Sequence, residues 1–293
     1  MPARRAILRH SPDRSFVCPS SKPYWYDDGD ALLVVQDHVF MLKQRILSCS
    51  EVFRDMFAFA CPSPEELLEG CVVIHLTDDP RDWMLLLLRL DDSDNKFWEK
   101  DDLSYENIAS LLRLATKYEI PEVREHTITK LHELWPSPAR LEAMDEDAFS
   151  PYRADAISLA MQCDLPEILP AIFYSLAVDY IHTTGLVLPG RLTDPADQLR
   201  LVVGAARLEG FNANALQRAQ ALGCCAACKA CITERWKALL GRTWTLRAMY
   251  WDWAEIDAGA WEGLCMDCFC LHESFLEMTR AHLRDAIPGF FGL

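Results

Sequence analysis

The sequence has 293 residues, 51% hydrophobic and 25% charged, the values of a packed globular chain rather than a disordered one. Its formal net charge of −15 sets it against nucleic acid and against an acidic membrane surface as partners, because both need clustered Lys and Arg. No apolar run reaches the roughly 18 residues that a membrane helix needs.

Residues 1–23 carry Arg4, Arg5, Arg9 and Arg14 among Pro2, Pro12, Pro19 and Pro23. This reads as a solvated, disordered arm. It lacks the apolar core of a secretory signal, and a mitochondrial presequence is the less favoured reading. Order is expected from Tyr24. Ala31 to Val35 and His38 to Leu42 are apolar runs of strand length with Asp37 between them, a β-hairpin pattern. Arg45 to Phe59 reads as one helix with Ile46, Leu47, Val52, Phe53, Met56 and Phe57 at helical spacing. Cys61 to Gly70 reads as a loop, and Val72 to Leu76 as a third, β-branched strand. Asp78, Asp79 and Pro80 then open a helix, acids at its positive end and Pro in its first turn. Asp91 to Asp102 is an acidic loop. Ser104 is placed to cap a helix whose buried stripe is Tyr105, Ile108, Leu111, Leu112 and Ala115. Pro121 opens another, with Val123, Thr127, Leu131 and Leu134 facing inward.

The second half is mainly helical. Tyr152 to Cys163 and Pro166 to Val178 form a helix pair, and Gly185 to Pro195 is a loop. Asp194-Pro195 starts a further helix with Leu199, Val202, Val203 and Ala206 at i, i+3, i+4 and i+7. From Cys224 the texture changes: seven of the twelve cysteines and five tryptophans fall between residues 224 and 270. Domains are therefore expected at 24–136, 137–222 and 223–293.

The cysteines carry the strongest chemical signal. Without a secretory signal the chain is expected in a reducing compartment, cytoplasmic or nuclear, where disulfides are rare. Cys228-x-x-Cys231 and Cys265-x-x-Cys268, separated by 33 residues, supply four thiolates of the kind that structural Zn²⁺ takes in tetrahedral array. Cys224, Cys225, Cys270 and His272 are spare ligands. The alternative is that these cysteines pack as small hydrophobes among Trp236, Trp244, Trp251, Trp253 and Trp261. Zinc requires the sulfurs to converge to about 3.5–4.5 Å, whereas the packing alternative lets them point apart.

The order of elements in the first half, together with particular residues, resembles the BTB/POZ domain, and more closely the divergent BTB-containing proteins of mushroom-forming fungi. The matching residues are Asp28-Gly29-Asp30 with Ala31 to Val35, then Phe40 to Leu47 and Ser50 to Phe57. They continue with Val72 to Leu76, and with Leu111 to Tyr118 followed by Ile120 and Val123. A weaker likeness covers the Cys-rich tail and the ending Ile287 to Leu293. The resemblance implies an α+β fold: a small mixed sheet with surrounding helices, followed by a mainly helical C-terminal region with a Cys/Trp-rich tail. It also implies a protein-interaction scaffold or adaptor, with cullin-type ubiquitin ligase adaptor as one form. In the family the first long helix packs against its symmetry mate, which puts Met56, Phe57 and Phe59 at a homodimer seam, with Ile46, Leu47, Val52, Phe53, Met56 and Phe57 as the expected interaction residues. Asp30 and Lys43 would approximate the family's charged dimer pocket, although the His that many members carry nearby is replaced by Leu42 or Lys43.

Enzyme signatures fail. His132-Glu133 and His272-Glu273 begin like the HExxH zinc motif, but Pro136 and Leu276 stand where the second His belongs. No phosphate-binding glycine loop and no nucleophile elbow occurs. The chain is expected to be non-catalytic, with protein partners and no small-molecule substrate. Residues 24–136 hold 23 Asp and Glu against 11 Lys and Arg. That surplus is either a solvated face or a surface that steers a basic partner. A nucleic-acid-associated regulator with a zinc-stabilised tail is the competing class. Against it, residues 224–293 carry 7 Lys and Arg and 9 Asp and Glu.

Overall fold

The computed structural model describes residues 24–59, 67–68, 70–90, 104–137, 151–182, 191–222, 225–228, 232 and 264–293. The N-terminal arm, the 91–102 loop, Cys231 and the five tryptophans between 236 and 261 lie outside these residues. The fold is mixed α+β and divides into two compact units, Met1–Ile128 and Thr129–Leu293.

In the first unit, β1 (Ala31–Val35) and β2 (His38–Leu42) form the expected antiparallel hairpin, with Leu33 opposite Phe40. The tight turn puts Gln36 at φ 52°, and its side-chain amide donates to the Asp78 carbonyl at 2.9 Å. After α1 (Gln44–Leu47), α2 (Glu51–Phe59) and the two-residue β3 (Leu67–Leu68), β4 (Cys71–Leu76) returns parallel to β1, with Leu33 opposite Ile74. The strand order is β2-β1-β4-β3. The stretch read as a loop up to Gly70 therefore contributes β3, paired antiparallel to β4 with Leu68 opposite Cys71. Gly70 makes that reversal at φ +84°, a backbone state only glycine takes without strain.

Both faces of β1, at the centre of the sheet, are buried. Leu33, Val35, Phe40, Leu42 and Ile74 pack with Leu47, Phe53, Trp83, Leu86, Leu111 and Tyr118 in the main core. Leu32, Val34, Val39, Met41 and Cys71 form a second apolar cluster. This explains why β1 reads as an unbroken apolar run rather than an alternating one.

The long helix expected over Arg45 to Phe59 is two helices. Ser48 turns its hydroxyl back onto the Arg45 carbonyl at 2.6 Å. Ser50 then caps α2: its Oγ accepts from the Phe53 amide at 3.1 Å and donates to the Tyr118 carbonyl at 2.5 Å. A buried serine with both jobs ends one helix and starts the next, because its side chain competes for backbone groups.

Helix α3 (Pro80–Leu90) begins where the acids predict: the Asp79 carboxylate accepts from the Arg81 amide at 2.8 Å. Ser104 accepts from the Asn107 amide and caps α4 (Tyr105–Lys117), whose stripe Tyr105, Ile108, Leu111, Leu112 and Ala115 is buried as read. Phe53, Trp83 and Tyr118 meet as an aromatic cluster with centroids 5.1 to 5.9 Å apart. Helix α5 (Pro121–Leu134) buries Val123, Thr127 and Leu131 as expected, but Trp135 rather than Leu134 is fully buried at its end. The division between the units falls inside this helix.

The second unit is helical. It contains α6 (Arg153–Gln162), a 3₁₀ turn at Pro166–Ile168, α7 (Leu169–His182), α8 (Pro195–Ala221) and α9 (Met266–Phe291). Asp194 caps α8 through the Ala196 amide at 2.7 Å. The stripe read along α8 is on the wrong face: Leu199, Val202, Val203 and Ala206 are exposed. The buried face is Leu201, Gly204, Ala205, Leu208, Asn212, Ala215 and Ala219. Small residues win that face because α9 lies close: the Phe291 ring sits where a Gly204 side chain would begin. Arg207 donates to the Gly289 and Phe290 carbonyls at 3.0 and 2.8 Å, and Phe291 stacks on Phe173 of α7 at 5.6 Å.

Candidate metal centre

Four cysteines of the second unit converge. The sulfurs of Cys225, Cys228, Cys265 and Cys268 all lie within 4.8 Å of one another, and those of Cys225 and Cys265 are 3.9 Å apart. Two local structures position them. Residues 225–228 form a tight turn closed by the Cys228 amide on the Cys225 carbonyl at 3.1 Å, which turns both thiols the same way. Cys265 is the N-cap of α9, with extended backbone, and Cys268 sits one turn into the helix. Residues three apart across a helix start share a side. The Phe269 amide bonds to the Cys265 carbonyl at 2.9 Å and starts the helix, so the second pair is held by regular secondary structure.

The two pairs are tied together by the Cys265 amide, which donates to the Cys228 sulfur at 3.5 Å. Beneath them Cys228 and Cys268, each 4% exposed, pack with Ala219, Ile232, Phe275 and Leu276. Cys225 and Cys265 face solvent. The four sulfurs converge, as a metal requires, and two of them also belong to an apolar cluster; the tryptophans of the packing alternative lie outside the described residues.

Three of the four expected ligands, Cys228, Cys265 and Cys268, are in this group. Among the described residues the group is completed by Cys225, one of the spare ligands. The run Cys224-Cys225-Ala226-Ala227-Cys228 offers Cys225-x-x-Cys228 as well as a frame starting at Cys228. Spacing alone does not choose between frames that share a cysteine, and Cys231 lies outside the described residues. Of the other spare ligands, Cys270 is exposed on α9. His272 is buried without a place in the cluster, and desolvation pushes its pKa down.

The electrostatics favour one anion and resist more. Hydrogen bonding from Cys228 leads the effects that bring the Cys225 thiol down to about 7. For Cys268 the Cys225 backbone amide lowers the pKa, but its hydrogen bond to Cys265, burial and the neighbouring Cys225 charge outweigh this and push it up to about 12. Four thiols this close cannot all ionise on their own, since each charge raises the cost of the next. A divalent cation reverses this, because it is the counter-charge for all four sulfurs. Among the described residues the donor set is four soft sulfurs with no oxygen ligand, which suits Zn²⁺ and not Ca²⁺ or Mg²⁺.

The six expected interaction residues fare differently. Leu47 and Phe53 are 1% and 0% exposed in the core of the first unit, so they present nothing to a partner. Ile46, Val52, Met56 and Phe57 are half-buried against the same core. The outward residues of α2 are Glu51, Arg54, Asp55, Ala58 and Phe59. Lys43 pairs with Asp28 at 2.6 Å rather than with Asp30. The Asp30 carboxylate instead accepts from the Gln44 amide at 2.6 Å at the start of α1, so these two residues do not form a charged pocket together.

Among the described residues no helix is long and apolar enough to cross a membrane. Comparison with family models, with curated proteins and with solved structures gives no match.

Proposed function

We propose that the chain is a non-catalytic protein-association module. Its first unit acts as a BTB-like docking domain, and its second is a helical body whose last helix is clamped by a structural zinc ion on Cys225, Cys228, Cys265 and Cys268. The observation that carries the association reading is apolar surface on the first unit. Phe59, at the end of α2, is 82% exposed, and Met84 and Leu88 are 39% and 48% exposed one turn apart on α3. Single exposed apolar side chains are ordinary, but two in one helical stripe are the start of a patch. The order hairpin, helix pair, returning parallel strand and helices further supports a BTB-like reading. The partner taken by preference is a second copy, through α3 and Phe59 rather than through Leu47 and Phe53.

Sedimentation velocity tests this. The expected outcome is a monomer–dimer equilibrium at tens of micromolar, roughly the range in which weak interfaces populate. Replacing Met84→Asp and Leu88→Asp together should shift it toward monomer by about tenfold or more while far-UV circular dichroism stays unchanged. A strict monomer at that concentration, with the double variant indistinguishable from the parent, overturns the association reading.

A further inference from the structure

The four-sulfur centre is asymmetric in its access to solvent. Cys228 and Cys268 are sealed in the apolar cluster, whereas Cys225 and Cys265 are exposed and their sulfurs are 3.9 Å apart. Resting on the zinc reading above, we infer that Cys225 and Cys265 form an oxidation site, at which a peroxide-class oxidant joins the two sulfurs as a disulfide and ejects the metal.

Three features select this pair. A peroxide must reach a sulfur to react, and exposure selects Cys225 and Cys265 over the two sealed cysteines. A disulfide needs its sulfurs at about 2.05 Å, and at 3.9 Å the two are about 2 Å short of it. Neither residue lies in a helix interior: Cys225 precedes a turn and Cys265 is the N-cap of α9. Their side chains thus rotate without unwinding a helix. The Cys228 sulfur, by contrast, is held by the Cys265 amide.

The chemistry closes. One sulfur attacks the O–O bond of hydrogen peroxide and takes one oxygen as a sulfenic acid, the other oxygen leaving as water. The second sulfur displaces the first oxygen, which also leaves as water, and the S–S bond forms. The two sulfurs lose two electrons and the peroxide gains them. Starting from the zinc tetrathiolate, one peroxide and four protons give one disulfide, two thiols, free Zn²⁺ and two waters. Cys228 and Cys268 alone are half of a structural zinc set, so the ion leaves.

The test uses the full chain, zinc-loaded and titrated with hydrogen peroxide. Released zinc is read with a chromogenic chelator, and cross-linked peptides are mapped by mass spectrometry. We expect one zinc released per chain, in step with a Cys225–Cys265 cross-link, and recovery on adding a thiol reductant and zinc. Cys270→Ser, which removes the exposed thiol outside the cluster, should release zinc identically. Zinc retained through excess peroxide overturns the inference. So does cross-linking within Cys225–Cys228 and Cys265–Cys268, or loss of metal with no disulfide. A chain that holds no zinc before treatment fails the parent reading instead, and the disulfide map of that metal-free chain then decides the pairing by itself.

Discussion

Asp78 shows how one side chain joins two helices, α3 and α4. Its carboxylate accepts from the Lys117 ammonium at 2.6 Å, the Tyr118 hydroxyl at 2.5 Å and the Trp83 indole at 3.4 Å. Burial pushes its pKa up, but these hydrogen bonds outweigh burial and hold it below the ordinary 3.8. Burial, and then the same carboxylate, push the Tyr118 hydroxyl up, so it remains a donor at any pH of interest. The sign follows. A carboxylate whose pKa is depressed on folding stabilises above its unfolded value and loses that contribution as pH falls through the folded one. Asp78→Asn should destabilise the first unit by about 1–3 kcal/mol at neutral pH, the range for a lost hydrogen bond to a charged group. The gap between variant and parent should narrow as pH falls below the ordinary carboxylate value of 3.8, where the unfolded chain takes up its proton first, and close as pH falls through the lower folded value. Urea denaturation at neutral and acid pH measures both. A gap that does not change with pH would remove the charge from the explanation.

At the scale of elements, the sequence was legible where period, cap and punctuation agreed. Asp194-Pro195, Ser104 and Asp79 mark helix starts that the structure has, and the apolar runs of β1, β2 and β4 are strands. It misled where a tertiary partner decides. Ser48 to Ser50 reads as helix by periodicity, and the break appears only when Tyr118, 68 residues away, offers its carbonyl to Ser50. On α8 the larger residues Leu199, Val202 and Val203 drew the stripe, whereas the buried face is the one small enough for α9. That close approach is testable. A Cβ on Gly204 would stand 2.1 Å from the Phe291 ring, so something must shift. Alanine gains about 1 kcal/mol of helix propensity over glycine. Overpacking costs about 1–3 kcal/mol. Gly204→Ala should therefore be net destabilising, whereas Gly210→Ala, with open space at its Cβ, should be neutral or stabilising. Thermal unfolding of the two variants separates them, and equal midpoints would mean that the α8–α9 crossing yields easily.

At the scale of the whole molecule, the two units stand differently to the four-cysteine cluster. The first has its own core of Leu33, Phe53, Trp83, Leu111 and Tyr118 and, among the described residues, contributes no ligand. In the second, residues 225–228 and the start of α9 meet at the four sulfurs and a small apolar cluster of Ala219, Ile232, Phe275 and Leu276. Zinc bound there becomes folding free energy for that unit, on the order of 10 kcal/mol for a full tetrathiolate in a small domain and less here, because α7, α8 and α9 also pack on one another. Because binding needs thiolates, protons compete with the metal and affinity falls on acidification. We expect about one zinc per chain in protein purified without chelator. Chelation should raise hydrogen exchange over residues 265–276 and leave β1, β2 and β4 protected. Cys225→Ser and Cys268→Ser should each reproduce the chelated pattern, whereas Cys270→Ser should not. Cys231→Ser discriminates between the two overlapping frames: zinc content unchanged in that variant assigns the fourth ligand to Cys225, and zinc lost in it while Cys225→Ser retains the metal assigns it to Cys231. Well under one zinc per chain in chelator-free protein would reject the centre whatever the sulfur geometry.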